Sequence, residues 1–302
     1  MTHDEGPTGV LAPIDPSPRI TVVVPHYNDL EALDKCLTSL VEQAPTHGGR
    51  EIIVCDNASP IDHAQIAAVV EGRARLVVEL EKGAGPARNR AVSEARGEIL
   101  AFIDSDCIAQ PGWLESGIAA LERGDLVGGR IDVFTTASRP SGADLFEQLF
   151  AFDQRGYIED KGFTVTANLF CRRDTFSAVG PFANGVSEDL EWCRRARRTG
   201  FSLVYEDAAV VRHPTRPDWT SLQAKWRRLT REAFQLHRME GGSRMGWALR
   251  QLAVAASAAP HTLRVLRADL PVGEKVRAAG GLWRIRTWRA LEGLKLSLSA
   301  PR

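Results

Sequence analysis

Residues 99–106 constrain the fold more than any other stretch, because five apolar residues there stop abruptly at Asp104, Ser105 and Asp106. Such a run indicates a buried parallel strand that ends at the carboxyl edge of its sheet, where open α/β sheets bind their ligands. An unpaired buried carboxylate is costly, so the two aspartates need a cation. Oxygen ligands suit Mg²⁺ or Mn²⁺. The alternative is a solvated pair of aspartates that caps the next helix.

Strands and helices alternate before this stretch. Apolar runs at residues 19–24, 51–55 and 75–80 are each followed by a helical segment, the third of which begins after a glycine-rich turn at residues 82–86. This order predicts a parallel sheet with helices on both faces. Beyond Asp106 we expect helices near residues 143–152 and 188–198, and strands near residues 126–133, 163–172, 202–205 and 209–212. The last of these strands ends just before His213.

The net charge of zero hides an asymmetry. Residues 211–302 hold 18 Lys and Arg against 6 Asp and Glu, and since the whole chain has 38 of each class, residues 1–210 keep 20 basic and 32 acidic side chains. An acidic body suits cation-assisted chemistry, and a basic tail suits an anionic polymer or an anionic membrane face. The five cysteines form no Cys-x-x-Cys pair, which indicates reduced thiols in a cytoplasmic protein.

No targeting or membrane-spanning segment is expected. Residues 1–18 are rich in Pro and Gly and lack an apolar run after a basic start, so they predict a disordered tail rather than a signal peptide. The longest uncharged run, residues 251–263, is interrupted by Pro260. It is too short for a span, which needs about 20 apolar residues.

The last 86 residues carry two apolar stripes at helical spacing. The stripes comprise Leu222, Trp226, Leu229, Ala233 and Leu236, and then Leu282, Ile285, Trp288, Leu291, Leu294 and Leu298. Two interpretations stay open. The stripes pack against the body of the protein, or they lie at a lipid interface as basic amphipathic helices that contain Trp, and both can be true in part.

Acidic and imidazole side chains fall at predicted strand ends and helix starts, in the order Asp56, Asp104 and Asp106, Glu188 and Asp189, His213. Together with residues 24–28, 83–91, 102–106, 166–170, 180–182, 188–195 and 211–214, this order resembles the family 2 glycosyltransferases, which are inverting enzymes. The resemblance covers residues 19–216. It implies the GT-A fold, a Rossmann-like and mainly parallel mixed α/β sheet with helices on both faces, here with a C-terminal helical extension.

The resemblance also implies a domain division and a donor site. We expect a GT-A domain at residues 19–216, with a nucleotide-sugar half at 19–110 and an acceptor half at 111–216, followed by a basic amphipathic helical extension at 217–302. The donor would be a UDP- or GDP-sugar. Pro25 and Tyr27 would frame its base, Asp56 would accept hydrogen bonds from the base, Arg88 would meet the diphosphate and Asp104 would hold the ribose or a metal-bound water.

Catalytic and metal roles follow from the same resemblance. Asp106 would bind Mg²⁺ or Mn²⁺ and His213 would complete the metal shell, the alternative being a structural or phosphate-facing histidine. Asp189 would be the general base, with Glu188 as its rival. The alternative for that pair is that the two acids only support the start of a helix.

The implied function is metal-dependent, inverting transfer of one sugar to a hydroxyl of a lipid-linked or polysaccharide-precursor glycan, at the cytoplasmic face of a membrane. The Gln-x-x-Arg-Trp motif of processive synthases is absent, since Gln223-Ala224-Lys225-Trp226 is one residue short, so non-processive transfer is expected. Two alternatives remain: a sugar-phosphate nucleotidyltransferase, and a non-catalytic module of this fold that binds glycan or anionic polymer. No nucleic-acid partner is expected.

Overall fold

A computed structural model of the chain describes residues 19–44 and 49–298. The tail predicted for residues 1–18 lies outside the described residues. The strands are β1 (Ile20–His26), β2 (Arg50–Asp56), β3 (Arg75–Val78), β4 (Ile99–Ile103), β5 (Ile108–Ala109), β6 (Leu126–Phe134), β7 (Asn168–Arg172) and β8 (Leu203–Pro214). The helices are α1 (Leu30–Val41), α2 (His63–Val70), α3 (Ala84–Ser93), α4 (Trp113–Ala120), α5 (Gly142–Phe150), α6 (Gln154–Glu159), α7 (Arg173–Val179), α8 (Glu188–Arg198), α9 (Trp219–Met239), α10 (Arg244–Ala256), α11 (Ala258–Arg267) and α12 (Val272–Leu298).

These strands form one mixed sheet in the order β3-β2-β1-β4-β7-β6-β8-β5. The pairs β1/β2, β2/β3, β1/β4 and β6/β8 are parallel, whereas β7 runs antiparallel to both β4 and β6, and β5 runs antiparallel to β8. Because β7 reverses the direction twice, β6 and β8 point the same way as β1 to β4. The carboxyl ends of β1, β2, β4 and β8 therefore share one edge of the sheet, where such folds bind ligands.

The strand β4 lies at the centre of the core and is buried along its whole length. Ile99, Ala101 and Ile103 join the apolar cluster on one face of the sheet, and Leu100 and Phe102 join the cluster on the other face. Since both faces of β4 are covered, an uninterrupted apolar run is what this strand requires. The chain can become polar only at its end, which places Asp104 and Asp106 at the edge.

The C-terminal helices build a third apolar cluster with α5. Leu222, Leu282 and Ile285 are fully buried there, and Trp226 and Trp288 pack against them in part. Packing against the body is thus correct for these members of the two stripes, whereas Leu291 and Leu298 of the second stripe are exposed. None of the helices within the described residues is both long enough and apolar enough to span a bilayer.

One local expectation differs from the structure, and one short strand was not expected. The short strands expected near residues 202–205 and 209–212 are one strand, β8, whose register against β6 shifts between Gly129 and Arg130. This irregularity accommodates Asp207, Ala208 and Ala209, which lie between the partners of Gly129 and Arg130, without ending the pairing. The short edge strand β5 follows Asp106 and pairs with β8, so it brings the end of the Asp104–Asp106 loop against the strand that carries His213.

Candidate active site

The ends of β1 and β2 are joined by hydrogen bonds around Asp56. Its Oδ1 atom lies 2.9 Å from Nδ1 of His26 and accepts a 2.5 Å hydrogen bond from the Ser59 hydroxyl. Nε2 of His26 accepts the backbone N–H of Asp29 at 3.3 Å, so Nδ1 carries the ring proton. Asp56 is buried, which means that most of its acceptor capacity serves its own chain. The neighbouring Tyr27 side chain is half exposed, and Pro25 is partly buried.

The glycine-rich turn before α3 is tied to the end of β2. The Asn57 Oδ1 atom accepts the Gly83 backbone N–H at 2.7 Å, and its Nδ2 atom donates to the carbonyls of Glu79 and Glu81. Gly83 has a φ of +141°, a conformation that favours glycine, so the turn depends on the missing side chain. The turn starts α3 at the ligand-binding edge and places Arg88 on its buried side.

Arg88 links two parts of the chain that are distant in sequence. Its Nη2 atom donates to Asp104 Oδ1 at 2.6 Å and its Nη1 atom donates to Glu188 Oε1 at 3.0 Å, while its side chain is only 4% exposed. Burial alone disfavours the charged guanidinium, but the two carboxylates outweigh it and raise the pKa of Arg88. The guanidinium thus clamps the loop after β4 to the start of α8; contact with a diphosphate stays a prediction for this residue.

Asp189 follows the clamped Glu188 in the first turn of α8. Burial raises the pKa of Asp189 to about 7, and the adjacent Glu188 carboxylate adds to the rise. The Leu190 N–H, which donates to Asp189 Oδ1 at 2.8 Å, and the Arg88 charge oppose the shift only in part. A carboxylate with a pKa near neutrality can take up and release a proton under physiological conditions.

Asp106 lies in the opposite kind of environment, although it is only two residues from Asp104. Its Oδ2 atom lies 3.3 Å from Arg216 Nη2 and 3.6 Å from His213 Nε2. Burial by itself raises the pKa of this carboxyl, but His213, Arg216 and Lys225 together outweigh that effect and lower it. Asp106 is therefore held in its ionised form.

Three further residues beside Asp106 are ones that the sequence did not mark. Lys225 on α9 donates to Glu147 Oε1 on α5 at 2.6 Å, and the Arg216 backbone N–H donates to Glu147 Oε2 at 2.6 Å. Lys225 and Glu147 are 78 residues apart, so no spacing pattern joins them. Lys225 does stand inside the shortened Gln223–Trp226 segment, which was the one available signal. These contacts bring the helical extension into the candidate site.

The side chains of Asp106 and His213 fit a divalent cation. His213 Nδ1 donates to the Pro214 carbonyl at 2.6 Å, which directs Nε2 towards Asp106 at 3.6 Å. Metal-binding histidines are commonly oriented in this way. Cys107 lies within reach of the same point, but burial raises its pKa well above the ordinary value, which disfavours the thiolate form. Carboxylate and imidazole are thus the donors available to a metal ion here.

A family model described as Glycosyl transferase family 2 matches residues 21–180, which is more than half of the chain. The chain belongs to glycosyl transferase family 2. The sequence resemblance and the assignment as a glycosyltransferase enzyme are therefore confirmed, and the two alternative functions lose their support. The match ends before α8, so Glu188, Asp189 and His213 all lie outside it.

Individual members of the family are similar over most of the chain. Glycosyltransferase AglE of Haloferax volcanii is 31% identical over 218 residues, which cover 70% of this chain and 71% of that protein. Pre-mycofactocin glycosyltransferase of Mycobacterium tuberculosis is 28% identical over 241 residues; these cover 74% of this chain but only 48% of the mycobacterial protein. The chain thus spans about half the length of the second relative.

Solved structures agree with the expected fold class. The mannosyltransferase PcManGT from Pyrobaculum calidifontis, in complex with GDP-Man and Mn²⁺, has a TM-score of 0.54 at 18% identity, with 94% of this chain and 76% of that chain covered. Residues 1–349 of S. aureus TarS with UDP-GlcNAc give a TM-score of 0.52 at 19% identity, with 89% and 72% covered. At such identities the likeness speaks for the fold alone. The expected GT-A architecture with a C-terminal helical extension is confirmed.

The fold brings most of the predicted site residues to one edge of the sheet. Asp104 and Glu188 share the Arg88 guanidinium, with Asp189 beside them, and Asp106 and His213 lie together. Asp56 lies at the end of β2 on the same edge, with its hydrogen bonds made to its own chain. The arrangement combines Asp189, whose pKa is about 7, with Asp106, which stays ionised beside basic side chains. Asp106 and His213 together offer an oxygen and a nitrogen donor to a metal ion.

Proposed function

We propose that this glycosyltransferase is a metal-dependent, inverting and non-processive enzyme. It moves one sugar from a UDP- or GDP-sugar to a hydroxyl of a lipid-linked or polysaccharide-precursor glycan. The observation that carries the proposal is Asp189, a half-buried acid with a pKa of about 7 that is held beside the Arg88 clamp at the ligand-binding edge. Inverting transfer needs one base of this kind.

Asp189 performs the proton transfer. In its ionised form it takes the proton of the acceptor hydroxyl as that oxygen attacks the anomeric carbon from the face opposite the diphosphate. The carbon–oxygen bond to the diphosphate breaks, and the nucleoside diphosphate leaves with the bonding electron pair. Glu188 is the weaker candidate for the base, because its Oε1 atom is bound to Arg88 Nη1. Arg88 is then a positioning residue, since it holds Asp104 and Glu188 in place.

The donor occupies the edge from β2 to β8. Tyr27 and Pro25 frame the base. Asp56 accepts hydrogen bonds from the base with the carboxylate lone pairs that are not used by His26 and Ser59. Asp104 holds the ribose or a metal-bound water, as the resemblance implies. Arg216 and Lys225 add two cations beside Asp106 that suit the diphosphate, because both lie within the ion-pair network of that acid.

Asp106 and His213 would hold the metal ion, Mg²⁺ or Mn²⁺. When bound, such an ion neutralises the charge that develops on the departing diphosphate. An imidazole nitrogen in the donor set favours a transition-metal ion over Mg²⁺. The Mn²⁺ and nucleotide sugars in the structures of similar fold support the same type of donor and cofactor.

The acceptor and the location are inferred from the rest of the chain. We divide the chain into a GT-A domain at residues 19–216 and a helical extension at 217–302. Of the 38 Lys and Arg residues, 18 lie in or next to the extension. Such a surface suits the anionic cytoplasmic face of a membrane, where a lipid-linked acceptor would be found.

Release of UDP or GDP from a panel of nucleotide sugars, with Mn²⁺ or Mg²⁺ present, tests the function. We expect release that depends on the metal and falls at least a hundredfold in Asp106→Asn and Asp189→Asn. Asp160→Asn is the matched control, since Asp160 is an exposed acid at the end of α6. The anomeric configuration of the product, read by NMR, tests inversion. Release that continues unchanged in both site variants would contradict the proposal.

A further inference from the structure

The outward face of α10 and α11 carries a row of exposed apolar side chains, which we call the α10–α11 ridge. Only Ser257 separates the two helices, and its φ of −63° and ψ of −14° keep the chain nearly helical from residue 244 to residue 267. The ridge consists of Met245, Leu249, Leu252, Leu263 and Leu266, which are 70, 60, 56, 53 and 56% exposed. The exposed residues Ala256 and Pro260 fill the gap between Leu252 and Leu263. Spacings of three and four residues put the whole row on one face.

The opposite face of the same two helices packs against the protein. Trp247 is buried and donates its Nε1–H to the Gly293 carbonyl of α12 at 2.9 Å. Gln251 is also buried, and Ala258 and Val265 belong to the apolar cluster that includes Leu282 and Ile285. The packing requirement of these helices is therefore met without the ridge. Five large apolar side chains on the free face need another explanation.

The charge around the ridge indicates the chemistry of its partner. Residues 244–268 contain four arginines and one histidine but no acidic residue. Arg250 lies over the Trp247 ring at 5.4 Å, and Arg264 lies over the Phe150 ring at 5.2 Å, so both are held at the flanks of the ridge. A second copy of the chain docked through this face would bring like charges together. A surface that is anionic at its rim and apolar inside fits better.

The end of the ridge has the character of a membrane interface. Val272 and Val276 at the start of α12 are 79 and 68% exposed, and Lys275 Nζ donates to the Leu266 carbonyl beside them at 2.9 Å. Trp283 on α12 is half exposed and donates its Nε1–H to Thr262 Oγ1 on α11 at 3.1 Å. Tryptophan with one polar atom bonded and its ring partly free is typical of the boundary between acyl chains and headgroups.

We propose that the α10–α11 ridge docks on a bilayer that contains anionic lipid. The apolar row enters the acyl boundary, and the flanking arginines lie at the level of the lipid phosphates. The inference rests on the membrane location proposed above and adds the surface that makes the contact. This surface differs from both stripes that the sequence marks, because the buried members of those stripes face the body of the protein.

Co-sedimentation of the full chain with vesicles tests the proposal. We expect binding to vesicles of phosphatidylcholine with 30% phosphatidylglycerol (roughly the anionic content of a cytoplasmic leaflet), weaker binding to pure phosphatidylcholine, and release as salt rises. The double variant Leu249→Gln/Leu252→Gln should bind about a hundredfold more weakly. Arg250→Gln/Arg264→Gln should lose about fivefold per arginine on the anionic vesicles only.

The matched control is Val41→Gln/Leu80→Gln, which removes two exposed apolar side chains from the nucleotide-sugar half and should bind as the native chain does. Thermal unfolding and nucleotide release in solution are measured on every variant, so that loss of the fold or of the chemistry is seen separately. Equal binding by the ridge variant and the native chain would show that the ridge is not the docking surface, while the proposed membrane location would still hold. No binding by the native chain would overturn both. Self-association that the ridge variant abolishes would assign the face to a second copy instead.

Discussion

Two acids on one loop, Asp104 and Asp106, lie in opposite charge environments. Asp104 belongs to an acidic group in which it shares the single cation Arg88 with Glu188, next to Asp189. Asp106 lies in a basic group with His213, Arg216 and Lys225, where the other acid, Glu147, is bonded to Lys225. Residues 104–106 form a turn after β4 rather than part of a strand, so the two carboxylates are free to enter different surroundings.

The difference between the acidic group and the basic group shows how one sheet edge can supply two kinds of carboxylate. Burial, together with the neighbouring acids, raises the pKa of Asp189 to about 7, which suits a base. His213, Arg216 and Lys225 outweigh the effect of burial and lower the pKa of Asp106, which suits a ligand that must stay ionised. The predictions below test this division, beginning with the largest expected effect.

Replacing Asp189, whose pKa is about 7, should abolish proton transfer in the acidic group and leave the basic group around Asp106 intact. In Asp189→Asn we expect kcat to fall about 10²–10⁴-fold, because the amide cannot accept the proton, while the affinity for donor and metal stays unchanged. Steady-state nucleotide release and donor titration measure the two effects. A loss confined to KM would assign Asp189 to binding instead.

Removing the cation of the acidic group should cost stability. Arg88→Gln leaves Asp104 and Glu188 without their shared partner, so we expect the free energy of unfolding to fall by about 3 kcal/mol, as measured by urea denaturation. Arg90→Gln is the control on the same helix, because Arg90 pairs with the partly exposed Glu94 at 2.8 Å. Equal losses of unfolding free energy in the two variants would show that Arg88 does not act as a clamp.

Changing the imidazole of the basic group should weaken metal binding. His213→Gln is expected to lower the affinity for Mn²⁺ by about 10–100-fold, since losing even an outer partner of a metal site has an effect of that size. Isothermal titration with the metal alone gives the affinity without reference to turnover. His237→Gln, on α9 and away from Asp106, serves as the control. An unchanged affinity in His213→Gln would mean that His213 is structural.

The raised pKa of Asp189 predicts opposite pH trends for activity and stability. Activity needs the carboxylate, so kcat/KM should fall about tenfold per pH unit below pH 7. Ionisation is disfavoured in the folded state, whereas the unfolded side chain ionises near 3.8, so this group's contribution to stability is lost as pH rises through 7. Asp189→Asn should therefore gain about 2–4 °C in Tm over the native chain at pH 8 but not at pH 4. Parallel pH trends in the two proteins would contradict the raised pKa.

Much of the fold could be predicted from local patterns. The apolar run of β4 and the alternation of strands and helices before it indicate a parallel sheet, because a strand buried on both faces has no room for polar residues. The order of the acids indicates the family, and the match of the family model to residues 21–180 confirms that assignment. The long strand β8 was less predictable, since a register shift lets polar residues sit inside a paired strand.

The sequence by itself determined the sheet, the family and the set of acids at its edge, because burial and strand periodicity act on near neighbours in the chain. Only the tertiary structure decided which charges meet. Arg88 reaches Glu188 across 100 residues and Lys225 reaches Glu147 across 78. Electrostatic interaction depends on distance in space and on burial, and neither can be read from spacing along the chain. For the same reason the sequence marked apolar stripes on the C-terminal helices, whereas the packed structure decided which apolar face is left outside.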